Sequence, residues 1–133
     1  MMESLIRIFH YDAEGLEKSY NNDNWLVGIK NYKPANNVLL MDSVERHLQT
    51  DELFIPLTGG NRVVTMEADD LRMQIQVMQV GCIYCIPKGV WHNVVMPEYG
   101  KIILIEQSDT CMDNSEVLML SEMQKTDLYQ LMG

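Results

Sequence analysis

The sequence has few basic residues for its length. Ten Lys and Arg stand against 19 Asp and Glu, so the 133-residue chain carries a formal net charge of −9 at pH 7. Compact nucleic-acid-binding modules show a basic patch, and anionic lipid surfaces attract basic segments. The charge balance therefore predicts that neither nucleic acid nor a membrane surface is a partner of this protein.

Cysteine is also scarce, and long apolar runs are absent. The chain has three cysteines, Cys82, Cys85 and Cys111, and an odd, sparse set without a secretory signal favours reduced thiols and a cytoplasmic location. Cys82 and Cys85 form a C-x-x-C pattern within a predicted strand, where side chains three positions apart point to opposite faces. We expect both to be small buried hydrophobic residues rather than a redox pair. The longest apolar stretches, such as residues 25–29, have the length of a strand and not the ~18 residues that a membrane helix needs.

Three common catalytic signatures are missing as well. The chain contains no G-x-x-x-x-G-K-[ST], no G-x-G-x-x-G and no G-x-S-x-G. These are the minimum parts of phosphate-binding loops, dinucleotide-binding folds and serine hydrolases. The sequence therefore gives no support to those three function classes.

What the sequence does contain is a series of short strands, predicted to form one globular domain over residues 1–133. Hydrophobic residues make up 47 % of the chain and charged residues 22 %, as in ordinary globular proteins. Met73, Ile75 and Val77 alternate with glutamines at 74 and 76, which is the period-2 pattern of a strand with one buried face. Many short strands separated by turn residues predict an all-β sandwich or small barrel.

The two ends of the chain are less regular. Residues 5–9 are predicted to form the first strand, and residues 12–20 a turn of helix capped by Asp12. Residues 121–132 are predicted to form a short helix, because Ser121 and Gln124 have the spacing of a capping box.

Two histidines stand close to acidic residues. Glu45 and His47 are two positions apart on a predicted strand and so share one face of it. A turn at residues 49–51 is expected to bring Glu52 back on the neighbouring strand. His92 lies on a later strand among apolar residues of the same face, where a buried imidazole needs a partner. A metal ion or a carboxylate would supply that partner.

These residues resemble the two motifs of the cupins, a family of the RmlC-like jelly-roll superfamily. The first motif, G-x5-H-x-H-x3/4-E-x6-G, is matched at His47, Glu52 and Gly59. The second, G-x5-P-x-G-x2-H-x3-N, is matched in register at four positions, Gly81, Pro87, Gly89 and His92. The departures are Leu39 and Glu45 in place of the glycine and the first histidine, and Met96 in place of the asparagine.

The resemblance implies a small single-domain cupin, which is a double-stranded β-helix or jelly-roll barrel, here with a short C-terminal helix. It also implies a homodimer and a divalent metal, Zn, Mn, Fe or Ni, held by His47, Glu52 and His92. Glu45 occupies the position of the fourth ligand. It is expected either to bind the metal as well or to act beside it as an acid or base.

The function stays open between three classes at this point. A metal-dependent enzyme would act on a small metabolite with a hydroxyl, carbonyl or carboxylate group, by isomerase, lyase or oxygenase chemistry. A non-catalytic, metal-free cupin would bind a sugar or a small organic acid in the same cavity. The third class is a dimeric scaffold. The fold alone does not choose among them.

Overall fold

Ten short strands and one helix form the described part of the chain, residues 4–133 of a computed structural model. The strands are β1 (Gly15–Asn21), β2 (Trp25–Asn31), β3 (Ser43–His47), β4 (Glu52–Pro56), β5 (Arg62–Met66), β6 (Met73–Val77), β7 (Tyr84–Ile86), β8 (Trp91–Val95), β9 (Lys101–Gln107) and β10 (Ser115–Met119). Helix α1 covers Glu122–Met132, and two 3-10 turns cover Pro34–Asn36 and Met112–Asn114. The predicted all-β fold with a short C-terminal helix is confirmed.

The strands form two antiparallel sheets of five strands each. One sheet has the order β1-β2-β9-β4-β7, and the other has the order β10-β3-β8-β5-β6. Strands that are distant in the chain become neighbours, as when β2 pairs with β9 and β3 pairs with both β8 and β10. The predicted site residues are therefore divided between the sheets, with β3 and β8 in one and β4 in the other.

Apolar side chains from both sheets fill the space between them. Because successive residues of a strand point to opposite faces, only alternate residues of each strand enter this core. The cluster consists of Leu26, Phe54, Val63, Met78, Ile86, Val94, Met96, Ile102 and Leu104. Polar side chains at a few other inward positions of the same strands form the site described below.

Helix α1 covers the outer face of the second sheet. Val64 and Val95 each follow a residue of the inner core, so they point outward and pack against Leu128 of the helix in a second cluster. Trp91 belongs to this cluster too, and its ring lies 4.5 Å from the guanidinium carbon of Arg46. The indole therefore serves packing on the outside of the sheet.

The start of the helix is set by the predicted capping box. Ser121 Oγ accepts a hydrogen bond from the backbone N–H of Gln124, and the Gln124 side chain accepts one from the backbone N–H of Ser121. Two otherwise unsatisfied donors are paired in this way.

Several local predictions are wrong. Residues 5–9 form no strand, and no strand of residues 4–133 pairs with them. Residues 15–21 form edge strand β1 rather than a helical turn, because β2 supplies backbone partners along their length. Strand β10 was not predicted, although it pairs with the whole of β3. Cys82 and Cys85 are exposed rather than buried.

No helix within residues 4–133 is long and apolar enough to cross a membrane. The assignment of residues 1–133 to one domain stays a prediction, as do the homodimer and the cytoplasmic location.

Candidate metal centre

Four buried side chains from four strands meet between the sheets. His47 ends β3 and His92 lies in β8 of one sheet, whereas Glu52 begins β4 and Glu106 lies near the end of β9 in the other. Glu52 thus approaches the histidines from the opposite sheet. The prediction that it returns on the neighbouring strand is wrong, because β4 pairs with β7 and β9 instead of β3. The convergence of His47, Glu52 and His92 agrees with the sequence.

His92 is held on both sides of its ring. Its Nδ1 lies 3.0 Å from the carbonyl oxygen of Val90, and its Nε2 lies 2.8 Å from Oε1 of Glu52. A carbonyl oxygen can only accept, so Nδ1 carries a proton. A neutral His92 then aims the lone pair of Nε2 at a carboxylate oxygen. That contact requires a proton shared by the two groups, on the imidazole or on the carboxyl, or a cation that both of them bind.

His47 has a similar arrangement. Its Nδ1 lies 2.8 Å from Oγ of Ser115 on β10. Its Nε2 is 3.3 Å from Oε1 of Glu52 and 3.5 Å from Oε2 of Glu106, yet this buried nitrogen makes no hydrogen bond with residues 4–133. The centroids of the two imidazole rings are 5.3 Å apart. Both Nε2 atoms therefore face the same carboxylate.

The charges of Glu52 and the two histidines affect one another. Burial would raise the pKa of Glu52, but the imidazoles of His47 and His92 beside it lower that pKa to about 2. Burial would lower the pKa of each imidazole, but the Glu52 carboxylate outweighs this effect and raises both pKa values. The Glu52 carboxylate and the protonated forms of the two imidazoles therefore stabilise each other.

Glu106 is the member of the cluster that sequence analysis missed. Burial, and then the nearby Glu52 carboxylate, raise the pKa of Glu106 to about 7. Its Oε2 atom is buried and makes no hydrogen bond with the described residues. The available signal was periodicity, because Glu106 continues the inward series of Ile102 and Leu104 on β9.

Glu45 lies at the edge of the cluster. It is paired across the strands with His92, and its Oε1 is 3.9 Å from Nε2 of His47. Its side chain is 46 % exposed, whereas the side chains of Glu52 and His92 are 6 % and 3 % exposed. The predicted site residue is therefore near the histidines but open to solvent.

The donor set fits a divalent metal. Ligand atoms of Glu45, His47 and His92 lie within 4.8 Å of one another, and so do those of His47, Glu52 and Glu106. The buried Nε2 of His47 and Oε2 of Glu106 lack any other partner in residues 4–133. Imidazole nitrogens combined with carboxylate oxygens suit Mn, Fe, Ni and Zn. His47, Glu52 and His92 would hold such an ion, with Glu45 and Glu106 beside it.

A small cavity of about 170 Å³ lies against the centre. Its polar wall includes the centre itself and Lys30, and its apolar wall is formed by Leu16, Phe54, Val94 and Leu104. A second cavity of about 200 Å³ shares Lys30, Lys33, Glu45 and Asn93 with the first. A ligand of a few non-hydrogen atoms would fit beside the centre.

No protein-family model matches the chain, and no curated protein matches it. Solved structures do. An oxalate decarboxylase from Bacillus subtilis is 18 % identical, with a TM-score of 0.53 over 72 % of this chain and 24 % of that one. A protein from Planctomyces limnophilus is 14 % identical, with a TM-score of 0.59 over 86 % of this chain and 96 % of that one. A cupin-2 domain protein from Shewanella frigidimarina is 24 % identical, with a TM-score of 0.52 over 73 % and 84 %.

These likenesses establish the fold, which is the small cupin fold that the sequence motifs predict. The chain spans about a quarter of the length of the oxalate decarboxylases that it matches. Another matched structure of the Bacillus subtilis enzyme concerns its Mn(II) centres.

Proposed function

We propose that this protein binds one divalent metal ion between its sheets and binds or transforms a small metabolite beside it. The observation that carries this proposal is the meeting of two buried Nε2 atoms at the Glu52 carboxylate. Both Nε2 atoms lie within 3.3 Å of Glu52 Oε1, yet only that of His92 makes a hydrogen bond. A divalent cation would satisfy both nitrogens and the carboxylate together.

His47, Glu52 and His92 are the proposed metal ligands. Two imidazoles and one carboxylate leave other positions of a metal open. Glu106 is a further candidate ligand, since its buried Oε2 needs either a proton or a cation. Glu45, at the exposed edge, is the proposed fourth ligand or the acid/base group that exchanges a proton between ligand and solvent.

The proposed metabolite is small and carries a hydroxyl, carbonyl or carboxylate group. When bound, the metal would supply Lewis-acid polarisation to such a group. The chain's own contribution is a cavity of about 170 Å³ with one polar and one apolar wall, which limits ligand size. The Mn(II) centres described for the oxalate decarboxylase make manganese the first ion to test, followed by Zn, Fe and Ni.

The test is metal content by plasma mass spectrometry on protein purified without a histidine tag. We expect about one metal per chain after exposure to Mn, Fe, Zn and Ni in turn, and loss of that metal in the double variant His47→Ala/His92→Ala. His10→Ala is the matched control, because His10 is exposed. Failure of the native protein to bind any of the four ions would overturn the proposal and leave a metal-free binding protein.

A further inference from the structure

Lys30 is an inward-facing lysine on a strand that otherwise supplies the core. On β2 it follows Leu26 and Gly28 at two-residue intervals, and Leu26 belongs to the inner core. This register places the Lys30 side chain on the inner face of the sheet. The side chain lines the cavity beside the metal centre, together with Lys33.

Lys30 has no partner of its own in residues 4–133. Its ammonium group takes part in none of the hydrogen bonds or ion pairs there, whereas Lys101 pairs with Asp12 and Arg46 pairs with Glu116. Partly burying an unpaired ammonium group is costly. The cost shows in the pKa of Lys30, which burial and the Lys33 ammonium lower to about 8, although the carboxylates of Glu45 and Glu52 act in the opposite direction.

Two cations, Lys30 and Lys33, line this small cavity together with the carboxylates of Glu45, Glu52 and Glu106. Only ten of its 133 residues are Lys or Arg, and the net charge is −9. The cavity facing Lys30 also has an apolar wall of Leu16, Val94 and Leu104. Where the proposed metal engages the carboxylates of the centre, an anionic group on a short carbon body would match the two lysines and this apolar wall.

We propose that Lys30 binds the carboxylate of a small organic acid and thereby determines the substrate class of this site. The inference rests on the proposed function, because the rest of the acid is taken to face the His47–Glu52–His92 centre. Lys33 lines both cavities, where it would attract the anion. Cavities of about 170 and 200 Å³ admit an acid of a few carbon atoms and exclude larger metabolites.

The test is isothermal titration calorimetry of the full-length protein with malonate, and with malonamide as the neutral analogue of the same size. We expect malonate to bind and malonamide not to bind. Lys30→Met is expected to weaken malonate binding about tenfold or more, since a hydrogen bond to a charged group contributes roughly 1.5–3 kcal/mol. Lys18→Met, which removes an exposed lysine of β1, should leave the affinity unchanged.

Three further measurements keep the result interpretable. Metal content is determined on every sample, so that failure of the metal proposal is seen separately from failure of the Lys30 proposal. Metal-free protein is titrated with malonate as well. Acetic anhydride footprinting of the native protein, read by mass spectrometry, does not depend on a variant that folds. We expect malonate to slow acetylation of Lys30 and not that of Lys18.

Three outcomes would overturn the assignment of Lys30. They are equal binding of malonate and malonamide, unchanged malonate affinity in Lys30→Met, and no binding of malonate in the millimolar range. Tighter binding of inorganic phosphate than of malonate would overturn the choice of a carboxylate as the anion.

Discussion

His92 and Glu52 contact each other from opposite sheets, with Nε2 of the imidazole 2.8 Å from Oε1 of the carboxylate. The two residues are 40 positions apart in the chain, and both are buried. The hydrogen bond between Nδ1 and the Val90 carbonyl fixes the ring so that Nε2 faces the carboxylate. Closure of the two sheets onto one another thus assembles the centre.

Substitution of Glu52 and of Glu45 should distinguish a buried metal ligand from a residue at the edge of the cluster. Glu52→Gln removes the carboxylate that faces both imidazoles and should abolish stoichiometric metal binding, as measured by manganese titration calorimetry. Glu45→Gln changes a side chain that is 46 % exposed and 3.9 Å from His47 Nε2. This variant should still bind the metal, with an affinity lowered by about tenfold at most. Tenfold is the low end of what a supporting group contributes to metal affinity.

Glu116→Gln serves as the control for both variants, because Glu116 pairs with Arg46 on the exposed surface. Equal loss of metal in Glu45→Gln and Glu52→Gln would show that exposure does not distinguish the two carboxylates. In that case Glu45 is a full ligand rather than an edge group.

Ser115 is expected to support metal binding without contacting the metal. Its Oγ lies 2.8 Å from Nδ1 of His47 and orients that ring. Ser115→Ala should therefore weaken metal affinity by about 10- to 100-fold, the range known for such supporting hydrogen bonds. Ser108→Ala is the control, and Ser115→Thr, which keeps a hydroxyl, should restore part of the affinity. Unchanged affinity in Ser115→Ala would contradict the orienting role.

The motif residues could be predicted from the sequence because their spacing is itself the signal. His47, Glu52 and His92 sit at fixed intervals from the glycines and proline of the turns, and the structure brings them together. Glu106 and Lys30 could not be found in this way. Each stands alone on its strand at an inward position otherwise used by apolar residues, and nothing local indicates that two separate strands, β9 and β2, flank one cavity.

The fold shows the same division between local and distant information. Strand β6 (Met73–Val77) forms where the alternation of Met73, Ile75 and Val77 with glutamines predicts a strand. Strand β10 has no such signal: its middle residues Glu116 and Val117 are both exposed. It forms because β3 offers a free edge, with Ser115 opposite His47 and Val117 opposite Glu45. Pairing with a strand about 70 residues away overrides a weak local preference.

Gly28→Ala should damage the wall of the cavity. A Cβ at Gly28 would lie 2.7 Å from Cδ1 of Leu16 and 3.2 Å from Cδ1 of Leu104, both of which line the cavity. We expect a loss of about 1–3 kcal/mol in the free energy of unfolding, measured by urea denaturation. Gly59→Ala is the control, because a Cβ there meets nothing within 4 Å. Equal stability of the two variants would show that Leu16 moves aside freely.

The exposed N-terminal segment predicts self-association. Leu5 and Ile8 are 100 % and 81 % exposed, and apolar side chains gathered in one exposed segment mark interaction sites. We expect a homodimer by light scattering after size-exclusion chromatography, and a shift to monomer in Leu5→Ser/Ile8→Ser. Leu39→Ser, at another exposed leucine, should leave the dimer intact. A native protein that remains monomeric at high concentration would contradict the prediction.

Lys30 should make stability rise with pH in the alkaline range. Burial and Lys33 lower its pKa from 10.5 to about 8 in the folded chain. Between these values the unfolded chain binds more protons at this position than the folded chain, so the free energy of unfolding increases as pH rises from about 8 to about 10.5. Below pH 8 both states are protonated, and the full cost of the partly buried charge remains. Lys30→Met should therefore be more stable than the native protein at pH 7. Its free energy of unfolding, measured by urea denaturation, should lack this part of the increase between pH about 8 and about 10.5, whereas Lys18→Met should retain it. A native-like pH profile in Lys30→Met would mean that the Lys30 ammonium is solvated in the folded state, and the lysine would then not be poised to receive an anion.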